Sequence, residues 1–343
     1  MKDYIYAVYI GRFEPSHLGH AGCVNKGLEI ADRVLILVGS SNSAPTIKNP
    51  FTYEQRYLML RMMFPDTNRV KIEPLNDYLY NDNVWVSQVQ GITSQYFNES
   101  DSVALIGDYS DSSSYYLKYV PQWEFVPANS KIGVRATEVR DAIFNGRVPT
   151  EYLHPEVAAY IQNNFYVDPD VWTDKPSLYQ ELVKEYNYIK KYKAQWDNLP
   201  FPVQFVTADA TVVCSGHVLV VERGRNPGKG LFAVPGGFVK PSEHIQKAAI
   251  RELKEETGIR VEREMLEKCI ERVQVFDHPD RSLRGRIVTH NYLIRLPDGR
   301  LPEVKAGDDA SRAFWMPINN VAKNETKFFE DHAHMIQYFL YNQ

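Results

Sequence analysis

Short apolar runs alternate with helix-period segments along the first 165 residues. "YIYAVYI" (4–10) is followed by "HAGCVNKGLEIA" (20–31), then "RVLILVGS" (33–40), "VWVSQVQGITSQYF" (84–97) and "SVALIG" (102–107). Strand, helix and strand in that order predict a parallel sheet with crossover helices. Tyr179, Leu182, Tyr186, Ile189, Lys193 and Trp196 are then spaced by three or four, which predicts one amphipathic helix before "LPFP" (199–202). Beyond it, "FVTADATVVC" (205–214) and "HVLVVERG" (217–224) read as strands, "AVPGGF" (233–238) as a glycine-rich turn, and "SEHIQKAAIRELKEETG" (242–258) as a helix. "RVQVF" (272–276) and "RIVTHNYLIRL" (286–296) read as further strands, and the segment from "AFWMP" (313–317) to the end as closing helices. No internal repeat relates the halves. The expected organisation is an α/β chain of two domains, 1–165 and 201–343, joined by a helical connector over 166–200.

Composition adds exclusions. At 44% hydrophobic and 24% charged residues the chain is in the globular range, and no run reaches the roughly 18 apolar residues of a membrane span. The N-terminal "MKDYIYAVYIGRF" lacks the h-region and cleavage site of a signal peptide, so a soluble cytoplasmic protein is expected. Three scattered cysteines, Cys23, Cys214 and Cys269, indicate neither a disulfide framework nor a cysteine metal site. A net charge of −4 provides no global field for nucleic acid, and the lysines of the connector are interspersed with glutamates. Neither a nucleic-acid nor a membrane partner is expected; self-association is left open.

Candidate chemistry concentrates in two places. In "GRFEPSHLGH" (11–20) the glycines permit close backbone approach, Arg12 is a permanent cation, and Pro15 fixes a turn before a helix beginning near His17. His17 and His20 have no neighbouring third ligand for zinc, and a strand–loop–helix turn is a favoured anion site. The motif resembles the signature of the nucleotidylyltransferase superfamily, in particular the archaeal-type nicotinamide mononucleotide (NMN) adenylyltransferases. Segments 39–56, 76–85, 113–117 ("SSYYL") and 134–140 ("VRATEVR") resemble later parts of that family.

The resemblance implies a Rossmann-like domain that joins ATP and NMN into NAD and pyrophosphate, with Mg²⁺ accompanying the nucleotide. It implies that His17 and His20 donate to the ATP phosphates, that Arg140 holds the β/γ end, and that Gly11, Arg12, Phe13 and Thr137 border the substrates. Trp85 would stack on the nicotinamide and Asp77 would serve the nicotinamide or ribose end, although packing in the core is the plain alternative for a tryptophan. Arg135 stands where the family usually has serine.

In "GGFVKPSEHIQKAAIRELKEETGI" (236–259), Glu252, Glu255 and Glu256 fall at i, i+3 and i+4, placing three carboxylates on one helical face. Hard oxygen ligands of this kind suit Mg²⁺ or Mn²⁺. With Gly237, Glu243, Arg251 and Gly258 at their fixed distances the segment is identified as a Nudix box. That resemblance implies an α/β/α domain hydrolysing a nucleoside diphosphate linked to another group, with Glu243 and Arg251 bracing the helix. "FDHPDRSLRGRIVTH" (276–290) resembles Nudix segments of NAD metabolism, including ADP-ribose pyrophosphatases and a related sensor family. Its Arg281, Arg284 and Arg286 would contact phosphate or pair with Asp277 and Asp280. Asp308 and Asp309 are candidates for a water-activating carboxylate. The expected reaction is ADP-ribose to AMP and ribose 5-phosphate; the alternatives are a ligand sensor, or hydrolysis of NAD(H) or another nucleoside diphosphate derivative.

Overall fold

The computed structural model describes residues 2–107, 119–128, 133–166, 177–307 and 309–341. "SSYYL" and Asp308 therefore lie outside the described residues. The chain divides into two compact units, Met1–Lys184 and Glu185–Gln343.

The first unit runs β1 (Tyr4–Gly11), α1 (Leu18–Ile30), β2 (Ala31–Val38), α2 (Tyr53–Met63), β3 (Val70–Pro74), α3 (Asp82–Thr93), β4 (Val103–Gly107), β5 (Glu124–Pro127), α4 (Ala136–Phe144) and α5 (Pro155–Tyr160), with a π-helical turn over Ile161–Phe165. All its strand pairings are parallel, in the order β3-β2-β1-β4-β5. Both faces are covered: Ala7 and Tyr9 pack in one core cluster, and Tyr6, Val8 and Ile10 in another. Burial on both faces is why the strands read as unbroken apolar runs rather than alternations. Gly27 lets α1 lie flat on the sheet, since a Cβ there would come within 2.9 Å of Val34. The strand order reverses between β1 and β4, so a crevice opens at the carboxyl end of β1, where the loop 11–17 begins.

Helix α6 (Leu178–Ala194) contains the division between the units, buries Leu182 and Ile189, and stops before Trp196. The second unit continues with β6 (Gln204–Cys214), β7 (His217–Arg223), β8 (Phe232–Ala233), β9 (Gly236–Phe238), α7 (Ile245–Thr257), α8 (Arg263–Lys268), β10 (Ile270–Phe276), β11 (Arg286–Arg295), β12 (Ala310–Pro317), α9 (Asn319–Lys323) and α10 (His332–Tyr341). Its seven-stranded sheet has the path β10-β11-β6-β7-β12, with β8 on β7 and β9 on β6. Only β6 and β11 pair in parallel. "AVPGGF" is thus two short strands around a turn, and "AFWMP" ends β12 instead of opening the closing helices; its neighbour β7 supplies the backbone partners.

Ala248, Ala249, Ile250 and Leu253 of α7 bury against Ala208, Ala210 and Val212 of β6. Ile250, Leu253 and Val212 each contribute about 1.5–3 kcal/mol by burial, and the alanines less. The small residues bring helix and sheet close, and the box carboxylates occupy the remaining face. Gly258 ends α7 in the left-handed region, at φ 51°, with its N–H donating to Lys254 O at 2.9 Å.

Candidate active sites

His17 is the N-cap of α1, and its Nδ1 accepts from Gly19 N at 3.1 Å. His20 reciprocates: its Nδ1 accepts from His17 N at 3.2 Å, and the two rings stack with centroids 3.7 Å apart. Burial, and then Arg140, lowers the His17 imidazole to about 4; burial, His17 and Arg12 hold His20 well below its ordinary range. Both rings are therefore neutral near pH 7. Because each Nδ1 is an acceptor, each proton sits on Nε2, which makes the pair two neutral N–H donors.

Two cations accompany them. Arg140 of α4 is buried, donating to Glu14 O at 2.7 Å and to Thr137 Oγ1 at 3.3 Å, and burial followed by Arg12 lowers it to about 10. Arg12 is exposed and reaches Asn49 Oδ1 at 3.4 Å. Arg135 caps the start of α4 without any side-chain hydrogen bond, whereas a serine hydroxyl there would accept from the first turn.

Five residues of this region have contacts within the protein itself. Phe13 is 1% exposed and packs on Tyr9 and His20 at 5.4 and 4.8 Å, so its ring supports the histidine. Gly11 and Gly19 make room for the protein's own rings: a Cβ would come within 3.2 Å of Phe13 and 2.9 Å of His17. Asp77 Oδ1 accepts from Ser40 N at 3.2 Å, which ties it to the end of β2. Trp85, on α3, is partly buried against the core cluster of Tyr6 and Val8.

In the second unit Arg251 is the hub. Its Nε and Nη2 hold Glu243 at 2.8 and 2.9 Å, and its Nη1 bridges Glu252 at 2.6 Å and Glu255 at 2.9 Å. These bonds pull the Glu243 carboxyl down to about 2. Glu256 accepts from Gly236 N at 3.1 Å, and burial pushes it up to about 8; Glu252 is raised by burial as well. At Gly237 a Cβ would stand 2.6 Å from the Glu252 carboxylate, so any other residue there would displace that carboxylate.

Such carboxylates fit a divalent cation, which would favour the ionised forms that burial disfavours. Among the described residues no three acidic, histidine or cysteine side chains are already gathered as a ligand set. The Arg251 bridge between Glu252 and Glu255 accounts for part of that, since it holds their oxygens on its own nitrogen.

Comparison with known proteins identifies relatives of each unit. Residues 8–142 match the cytidylyltransferase-like family and residues 204–339 the NUDIX domain. A nicotinamide/nicotinic acid mononucleotide adenylyltransferase of Acinetobacter baylyi is 32% identical over 188 residues, covering 54% of this chain and 95% of that protein. An ADP-ribose pyrophosphatase of Methanocaldococcus jannaschii is 36% identical over 118 residues, covering 34% of this chain and 64% of that protein. The crystal structure of a bifunctional NMN adenylyltransferase/ADP-ribose pyrophosphatase from Francisella tularensis superposes with TM-score 0.90 at 35% identity, covering 98% of both chains. A further structure from that organism is a complex with AMP and a manganese ion, and it also has TM-score 0.90. The chain belongs to this bifunctional family.

Within that family assignment, the loop arginines of the Nudix unit separate. Arg281 is buried and holds Asp331 with two bonds of 2.9 Å, a partner outside the loop that the sequence did not indicate. Arg286 pairs with Asp277 at 3.6 Å. Arg284 lies over Phe238 and Phe329, at 5.4 and 6.0 Å. Asp309 is exposed in an ion pair with Arg225 at 2.7 Å, an arrangement that engages its carboxylate on the surface.

Sequence reasoning missed Asp209, buried on β6 and bonded to Thr289 at 2.5 Å, whose Oδ1 would lie 1.9 Å from a Cβ at Gly236. It also missed Gly307, where a Cβ would meet Glu255 O at 1.7 Å and whose N–H caps Glu256 O. The available signal was the doubled glycine of "PGGF" and the isolated one of "AGDD".

Proposed function

We propose that the protein is a bifunctional enzyme of NAD metabolism, with residues 1–165 carrying adenylyl transfer and 201–343 hydrolysis. The observation that supports the reading is that both motifs lie in one chain that aligns over 98% of its length with a bifunctional relative. In the first, an oxygen of the NMN phosphate attacks the α-phosphorus of ATP and pyrophosphate leaves, giving NAD. No covalent nucleophile is needed, so the task is alignment and charge stabilisation. The Nε2–H groups of His17 and His20 supply neutral donors, and Arg12 and Arg140 supply charge. Thr137 steadies Arg140, and Trp85 offers the nicotinamide a ring face.

In the second site water attacks a phosphorus of ADP-ribose, the P–O bond of the diphosphate breaks, and AMP and ribose 5-phosphate leave. Glu252, Glu255 and Glu256 would hold Mg²⁺ or Mn²⁺, which would supply charge neutralisation for the diphosphate and Lewis acidity toward water. Arg251 and Glu243 keep those carboxylates on one face. Arg284 and Arg286 are the remaining loop cations for phosphate. Nucleotide substrates and three free cysteines fit a cytoplasmic location; no described helix is long and apolar enough to cross a membrane.

The test is to incubate the purified chain with ATP, NMN and Mg²⁺, and separately with ADP-ribose and Mg²⁺, beside the Glu256→Gln variant. NAD from both proteins, and AMP with ribose 5-phosphate from the wild type alone, are the expected products. ADP-ribose bound without turnover would overturn the hydrolase assignment in favour of a sensor.

A further inference from the structure

Behind the histidine loop lies an arginine that no motif reading singled out. Arg56, on α2, is 1% exposed and spends its guanidinium on backbone carbonyls: Nη1 donates to Arg12 O at 2.8 Å and Gly39 O at 2.7 Å, and Nη2 to Ser40 O at 3.1 Å. Its Nε lies 3.3 Å from Thr52 O and 3.2 Å from the Glu14 carboxylate. Glu14, equally buried, accepts Phe51 N through its other oxygen at 3.1 Å.

Two of those carbonyls have something in common. Arg12 O and Gly39 O belong to the peptides immediately before Phe13 and Ser40, two of the four non-glycine residues with positive φ among the described residues, at 57° and 52°. A left-handed backbone is unfavourable for both side chains and persists only where the surroundings over-determine it. One planar, forked cation grips both places at once, at the carboxyl ends of β1 and β2, and a point-charge ammonium could not reproduce that fork.

We propose that Arg56 is a positioning residue for adenylyl transfer: it clamps the ends of β1 and β2 in their left-handed turns and so fixes where Arg12, His17 and His20 present their donors. The clamp is closed from the other side by Arg140, which holds Glu14 O. Arg56 itself has no role in contacting substrate. The inference rests on the adenylyl-transfer reading of this site.

The experiment compares wild type, Arg56→Lys and Arg56→Lys/Ser40→Gly for NAD synthesis, with amide hydrogen exchange read by segment. Misplacing reacting groups by about 1 Å costs on the order of 100-fold, so Arg56→Lys should lower kcat about 100-fold. Exchange should quicken in 11–16 and 39–42 while β1 and β4 remain protected. Glycine adopts positive φ without the side-chain clash, so Ser40→Gly should return roughly a tenth or more of the lost kcat.

Arg56→Lys activity within about threefold of wild type would overturn the clamp. So would protection lost uniformly across β1 to β4 in Arg56→Lys with no recovery from Ser40→Gly, the signature of a merely stabilising residue. Absence of NAD from the wild type would instead overturn the underlying reading, and the exchange pattern would still judge the clamp.

Discussion

Replacing Arg281 by methionine tests whether this loop cation serves the fold or the substrate. In the native unit the guanidinium holds Asp331 through two bonds of 2.9 Å, with side-chain exposures of 4% and 0%. Arg281→Met leaves the Asp331 carboxylate buried with neither guanidinium bond. Removing one partner of a buried pair costs about 3–5 kcal/mol. With a urea m-value of about 2 kcal/mol per M, the unfolding midpoint of this unit should fall by about 1.5–2.5 M. Because the chain has two units, one global transition is not a sound readout. Pulsed hydrogen exchange at graded urea reads segments separately, and the shift should appear in β11 and α10 but not in β1 and β2. The double variant Arg281→Met/Asp331→Leu should recover most of the loss, since it removes the buried carboxylate as well. An unchanged midpoint in Arg281→Met, accompanied by a raised KM for ADP-ribose, would refute the structural assignment and restore the phosphate contact.

Three further outcomes are expected. Gly237→Ala forces a Cβ to 2.6 Å from the Glu252 carboxylate, so ADP-ribose hydrolysis should fall at least about tenfold, as a misplaced catalytic group implies, while NAD synthesis from the same preparation is unchanged. His17 titrates at about 4 in the folded chain against roughly 6.5 unfolded. The unfolded state therefore binds more protons between those values, and stability falls as pH drops through that window, by about 3 kcal/mol at most. His17→Gln should flatten this part of the pH dependence of the first unit's urea midpoint. Arg135→Ser should add the missing cap of α4, worth about 1 kcal/mol, and raise the first unit's Tm by about 2–4 °C in calorimetry.

Which features were legible in the sequence depended on whether they repeat locally. Strands buried on both faces are long apolar runs, and three glutamates at helical spacing share a face wherever the helix is placed. Both are decided within a dozen residues. The pairing of Arg140 with Glu14 spans 126 positions and that of Arg281 with Asp331 spans 50, so no window of sequence contains both members. Short segments such as β8 and β9, two and three residues long, have no period to detect and exist because β7 and β6 supply their hydrogen bonds.

The Nudix loop shows the same limit with the residue type held constant. Arg281, Arg284 and Arg286 stand within six residues and carry the same charge, yet one is buried on Asp331, one lies over two phenylalanine rings, and one pairs with Asp277 at the surface. The fold decides between them through burial. A buried guanidinium is tolerable where acceptors satisfy it, and for Arg281 that acceptor is Asp331, at the start of the closing segment that leads into α10. Arg284 lies over ring faces and Arg286 at the surface, where a cation can meet a diphosphate at lower desolvation cost. Equal charge within one motif therefore does not mean equal surroundings, and the KM of Arg281→Met for ADP-ribose is the quantity that tests whether the buried arginine differs in role from the other two.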